Sequence, residues 1–188
     1  IAKKVLKKIK FMYKNLPWYL QTPIINGRAG EFGSVTSMEF CNGSLIESIP
    51  TSEQAGRSES LSLLVIDEAA AVRWANQIWA AAFPTLSTGG SAIINSTPLG
   101  VGNWYHSMWV DAISGANGVN PIRLHWDMHP DRDDQWYQDM AKALGPKRTA
   151  QEIDGDFLSS GNTVFDLTDI KGIEEDLYDY PVLKTRFN

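Results

Sequence analysis

With Cys41 its one cysteine in 188 residues, the chain cannot form an internal disulfide, and its fold must rest on packing and hydrogen bonds. No apolar run approaches the ~20 residues a membrane-spanning helix needs. Lysines and apolar residues interleave at the N-terminus, so the separate basic and apolar regions of a signal peptide are missing as well. A reducing, cytoplasmic setting is the expectation. Excess positive charge is also lacking: the formal net charge is −5, which argues against a surface that coats nucleic acid uniformly. The balance is uneven, however. Residues 1–60 carry eight Lys and Arg against five Asp and Glu, and residues 61–188 carry nine against seventeen. Finally, the phosphate cradle G-x-x-x-x-G-K-[ST] occurs nowhere in the sequence. The glycines of residues 27–33 and 89–102 lack the Lys-Ser/Thr pair that would complete it.

What is present suits one substantial core. Hydrophobic residues make up 43% and charged residues 21%, the proportions of a globular protein. Residues 1–14 read as an amphipathic helix, with Ile1, Val5, Ile9 and Met12 on one side. Lys3, Lys4, Lys7, Lys8 and Lys14 mostly line the other, as a solvated face. Because this helix opens without a cap residue or initiator methionine, the expectation is that the sequence begins mid-protein. Residues 34–40 and 44–49 read as strands joined by Asn42-Gly43, a hairpin signal.

Leu63-Leu64-Val65-Ile66 then runs directly into Asp67-Glu68. Such a run reads as a buried parallel strand, whose first polar residues emerge at its C-terminal edge, where ligands bind in open α/β sheets. An Asp there can hold a hydrated Mg²⁺, and a Glu beside it can orient an attacking water. The plainer alternative is a buried strand ending in a charged turn. Downstream, a helix is expected over residues 69–83, ended by Pro84, and then a second apolar strand, Ala92-Ile93-Ile94-Asn95. Ser96-Thr97-Pro98 follows, with two hydroxyls that could bond a γ-phosphate or its water before proline turns the chain away. Further helices are expected at 104–113, 133–144 and 147–154, and a third strand at 121–126. Strands alternating with helices predict an α/β fold with a parallel sheet.

Arg57 lies on a polar loop ten residues before Asp67, and a guanidinium so placed suits transition-state phosphate charge. His125, Asp127 and His129 would share a face on a strand. Yet Pro130 follows at once and Trp126 and Met128 alternate with them, so strand-end polar residues are the reading here rather than a metal site. His106 reads as a helix-surface or packing residue, and the seven tryptophans as core. Ser159-Ser160-Gly161-Asn162 carries a linker signal, which gives expected domains of 1–158 and 159–188.

In order, AGRSESLSLLVIDEAA, PTLSTGGSAIINSTPLG and GNWYHSMW resemble the ATPase domain of the large terminase subunit of tailed bacteriophages. HWDMHPDRDDQWYQ and TAQEIDGDFLSSGNTVF are similar to the end of that domain. The resemblance runs over about residues 1–165. It implies a three-layer P-loop NTPase of mainly parallel sheet, here without the Walker A strand and loop, and a phage-encoded motor in the host cytoplasm that hydrolyses ATP to drive double-stranded DNA into a prohead. Asp67 would match the Walker B aspartate that holds Mg²⁺, and Glu68 the catalytic glutamate. Ser96, Thr97 and Pro98 fall on the coupling motif that meets the γ-phosphate of ATP. Arg57 falls on the arginine before the Walker B strand, where the family commonly has a following glycine and this chain has Ser58. Implied partners are double-stranded DNA, the portal and prohead, the small terminase subunit and further copies in a ring. Without the Walker A lysine, little turnover is expected from this chain by itself. The alternatives are a non-catalytic interaction module of a prophage remnant and a helicase-like translocase.

Overall fold

The structure is a computed structural model, and it describes residues 2–27, 32–52, 55, 60–160 and 173. Arg57 and the residues that flank it lie outside that set, as does nearly all of the acidic C-terminal stretch. The chain divides into two compact units. The first comprises Ile1–Asp67 and Val72–Asn95; the second comprises Glu68–Ala71 and Ser96–Asn188.

In the first unit, helix α1 spans Ala2–Lys14. It buries Leu6 against Met38 and Phe40, with Ile9, Tyr13 and Ile24 packed around them. The inward stripe is thus Leu6, Ile9 and Tyr13, at i, i+3 and i+7. Met12, expected on that stripe, is exposed together with Phe11. Tyr13 closes the cluster by stacking edge-on to Phe32 and donating its hydroxyl to Thr22 O at 2.5 Å.

Strands β1 (Ser37–Glu39) and β2 (Leu45–Glu47) form the expected antiparallel hairpin, with Met38 opposite Ile46. Its turn is built as the Asn-Gly signal requires. Gly43 takes φ 82°, a conformation glycine adopts without Cβ strain, and Asn42 Oδ1 accepts from Ser44 N at 3.0 Å.

Strands β3 (Leu63–Asp67) and β4 (Ser91–Asn95) pair in parallel, in a register that sets Leu63 against Ser91 and Asp67 against Asn95. This pair is the parallel sheet of the α/β fold, and among the described residues it has two strands. The expected complete burial does not hold. Ile66 is buried, whereas Leu63, Val65 and Ile93 are 54%, 51% and 53% exposed. The period of two separates them: Ile66 points to one face, and Leu63 and Val65 to the other.

Helix α2 spans Ala75–Leu86 and buries Ala75, Ile78, Ala82 and Leu86. The helix expected over residues 69–83 is therefore divided: residues Ala69–Ala71 form a separate 3₁₀ turn, which belongs to the second unit. Pro84 does not end α2 but sits in its last turn, where its carbonyl accepts from both Ser87 N and Ser87 Oγ.

In the second unit, helix α3 (Trp104–Ile113) is capped by Asn103, whose Oδ1 accepts from His106 N at 2.9 Å. Helix α4 (Asp134–Leu144) is capped in the same way by Asp133, which accepts from Trp136 N at 2.8 Å. Helix α5 (Pro146–Thr149) leads into a π-helical turn over Ala150–Asp154, and helix α6 (Phe157–Ser160) follows. Residues 121–126 form no strand. Ile122 and Leu124 are exposed, Pro121 has no N–H to contribute to a ladder, and the chain turns into a 3₁₀ helix at Trp126–Met128. Of the expected apolar pair there, Met128 is exposed, while Trp126 stacks on Tyr137 at 5.0 Å. Nor are the tryptophans uniformly core, for Trp18 is 84% exposed. Among the described residues, no helix is long and apolar enough to cross a membrane.

Candidate functional site

Apolar residues 63–66 lead to Asp67 and apolar residues 92–94 to Asn95, and parallel pairing in register sets those two polar side chains side by side at one end of the strands. Within the first unit, Asn95 Nδ2 donates to Asp67 Oδ1 at 2.8 Å. One amide donor orients a carboxylate without neutralising it, and it leaves the second oxygen as an acceptor. Asp67 is half-buried and Asn95 exposed. Asn95 had no role assigned from sequence. The signal that finds it is the strand register, which requires knowing that β3 pairs with β4.

The next residue, Glu68, has φ 55°. Among the described residues it is the one non-glycine in the left-handed region. That conformation costs a β-carbon-bearing residue about 1–2 kcal/mol, and strain of this kind concentrates at functional sites. Its carbonyl accepts from Ala71 N at 2.9 Å, which starts the 3₁₀ turn. Glu68 is exposed, so its carboxylate faces solvent rather than a packed core.

In the second unit, Ser96 is held at two atoms. Its Oγ accepts from Ala70 N at 3.1 Å and donates to Thr97 O at 2.8 Å. Its carbonyl accepts from the Tyr105 hydroxyl at 3.2 Å. Burial raises the Tyr105 pKa above its ordinary value, only partly offset by the bond to Ser96, so the phenol stays a protonated donor at neutral pH. Pro98 is buried after Thr97. Asn103 Nδ2 donates to Leu99 O and to Gly100 O, each at 3.0 Å, and its Oδ1 caps α3. One side chain thus ties the loop after Thr97 to the helix that follows.

The structure accordingly describes Asp67, Glu68, Ser96 and Thr97 of the expected site, while Arg57 lies outside the described residues. His125 Nδ1 and Asp127 Oδ1 pair at 2.8 Å. His129 is engaged separately, its Nδ1 accepting from Asp131 N at 3.2 Å. No group of three or more His, Cys, Asp or Glu side chains among the described residues is arranged to hold a metal ion. His106 packs as expected, with its ring edge-on to Phe157 at 5.1 Å.

Residues 19–172 match the family model for the terminase large subunit, T4likevirus-type, N-terminal. The large terminase subunit of Thermus virus P23-45 is 30% identical over 126 residues, covering 58% of this chain and 25% of its own length. That of Thermus phage G20c is 29% identical over 126 residues, with the same coverage. The chain therefore spans about a quarter of these relatives. Among solved structures, the large terminase ATPase domain of Thermus phage P74-26 is similar in fold, with a TM-score of 0.50 and 21% identity over 83% of this chain and 70% of that one. With its family match covering most of the sequence, this chain belongs to the terminase large subunit family.

Proposed function

We propose that this chain forms part of a phage DNA-packaging ATPase, in which Asp67, Glu68, Ser96 and Thr97 act on the terminal phosphate of ATP. The observation that carries this reading is the strand end itself. Asp67 is oriented by Asn95, and the adjoining Glu68 is held in a strained backbone conformation that an ordinary charged turn does not require. The donor set fits a hard divalent cation, which prefers oxygen ligands. Asp67 would hold Mg²⁺ through water, and Mg²⁺ would neutralise phosphate charge. Glu68 would accept a hydrogen bond from the attacking water and align it, with its carboxylate as proton acceptor. Ser96, fixed by Ala70 N and Tyr105, would set the position of the Thr97 hydroxyl toward the phosphate. Arg57 would supply positive charge to the phosphate. Double-stranded DNA, a prohead portal, the small subunit and neighbouring copies in a ring are the proposed partners, and the host cytoplasm is the proposed setting.

The test is Mg²⁺-dependent ATP hydrolysis by the chain, and by a chimaera in which it replaces the matching segment of the P23-45 large subunit. The chimaera is expected to turn over, and Glu68→Gln to slow it by about 100-fold or more, the size of effect seen for positioned acid–base groups. Turnover that Glu68→Gln leaves intact would overturn the assignment. Partner binding that survives Glu68→Ala, with no turnover in either protein, would instead favour a non-catalytic interaction module.

A further inference from the structure

Ser160 is 1% exposed and lies 60 positions along the chain from the backbone group it serves. Its Oγ accepts from Gly100 N at 3.0 Å in a buried bond and donates to Phe157 O at 3.1 Å, so its one proton and an acceptor lone pair are both used. Gly100 is itself buried and has φ 74°. Its N–H lies in a loop rather than a ladder and would lose its partner without this hydroxyl. Phe157, on the same short helix, packs against the rings of Tyr105 at 5.9 Å, His106 at 5.1 Å and Trp109 at 6.3 Å. Tyr105 in turn donates to Ser96 O. Helix α6 therefore reaches the Ser96–Thr97 turn by two routes: Ser160 through Gly100, and Phe157 through Tyr105.

We propose that Ser160 is a positioning residue for the Ser96–Thr97 turn, acting through the buried Gly100 amide. The inference rests on the proposed role of that turn in phosphate contact, but its geometry stands without nucleotide. Removing the hydroxyl frees the loop at Gly100, and Ser96 then loses one of the constraints that hold its Oγ on Ala70 N.

The Ala70 amide is the reporter, because its N–H donates to Ser96 Oγ and not to the Ser160 hydroxyl, which accepts from Gly100 N instead. Amide exchange is measured on the whole 188-residue chain without nucleotide, for the wild type, Ser160→Ala and Ser160→Thr. Ser160→Ala is expected to speed exchange at Gly100 and Ala70 by about tenfold, as the loss of a buried bond predicts. Ser107 within α3 and Ser91 in β4, both backbone-bonded, should be unchanged. Ser160→Thr, which keeps the hydroxyl, should restore Ala70. Faster exchange at Gly100 with Ala70 unchanged would overturn the proposal and leave Ser160 a local anchor. General loosening that includes Ser91 would overturn it equally, as loss of fold. In the chimaera, Ser160→Ala is expected to lower kcat about tenfold with KM nearly constant, the mark of an interaction that matters in the transition state. Unchanged kcat beside a Glu68→Gln loss would overturn the positioning role and keep the ATPase reading. No turnover in any variant would overturn the ATPase reading, with the Ala70 amide deciding the positioning role alone.

Discussion

Asn95 Nδ2 donates a 2.8 Å hydrogen bond to Asp67 Oδ1 across the ends of two parallel strands. Asn95→Ala should cost about 1 kcal/mol or less, since the pair is not deeply buried. Asn95→Asp should do more, because it sets a second carboxylate against Asp67. The like-charge repulsion should be relieved by a divalent cation. The check is thermal unfolding with and without Mg²⁺: Asn95→Asp is expected to melt lower in its absence and to recover in its presence. A melting temperature indifferent to Mg²⁺ would count against a cation at Asp67.

Glu68 holds φ 55° at a cost only glycine avoids. Glu68→Gly should therefore raise stability by about 0.5–1 kcal/mol, while removing the carboxylate proposed to align water. Glu68→Ala keeps the strain and should not be stabilising. Urea unfolding of the two variants separates these effects. A Glu68→Gly variant less stable than Glu68→Ala would show that the backbone conformation carries no strain of its own, because only the unfolded-state entropy of glycine would then separate the two.

Asp156 receives Leu158 N at 3.0 Å and Ser159 N at 3.3 Å on its carboxylate. Burial pushes its pKa up, but the Ser159 side chain, these two N–H groups and the nearby Arg123 outweigh it and hold the pKa below its ordinary value of 3.8. A depressed folded-state pKa means the carboxylate contributes stability above the unfolded value, and that contribution fades as pH falls through the folded one. Between pH 7 and 3, Asp156→Asn should thus lose less stability than the wild type. Unfolding midpoints across that range test this; parallel curves would refute it.

Gly90 precedes β4, and its N–H donates to Leu86 O at 2.8 Å. A β-carbon there would lie 2.3 Å from Leu61 O and 2.8 Å from Leu86 Cδ2. Backbone oxygen cannot rotate aside, so Gly90→Ala should cost about 1–3 kcal/mol, the range for forced overpacking. Gly115 is a useful contrast, with open space around its β-carbon position and a left-handed φ of 74°, so Gly115→Ala should show backbone strain alone. Denaturant midpoints of the two variants make the comparison, and a Gly90→Ala midpoint equal to wild type would exclude the clash.

Much of the chain is legible from sequence because the deciding forces act over a few residues. The α1 lysine face, the Asn42-Gly43 turn, the capped helices α3 and α4, and the apolar run that ends at Asp67 all follow from periodicity and local side-chain bonding. So does the family resemblance, which is carried by ordered motifs. Other features depended on pairing between distant segments. The Asp67–Asn95 bond spans 28 positions, the Ala70–Ser96 bond 26 and the Gly100–Ser160 bond 60, so each needs a strand register or a helix packing that no local window contains. The same limit explains the expectations that failed. Residues 121–126 alternate like a strand but find no ladder. The inward stripe of α1 shifted to Leu6, Ile9 and Tyr13 because Met38 and Phe40 lie against that side. Sequence alone determined most of the elements and the family to which the chain belongs. The tertiary structure decided which polar groups face one another, because a hydrogen bond depends on distances set by the packing of whole elements.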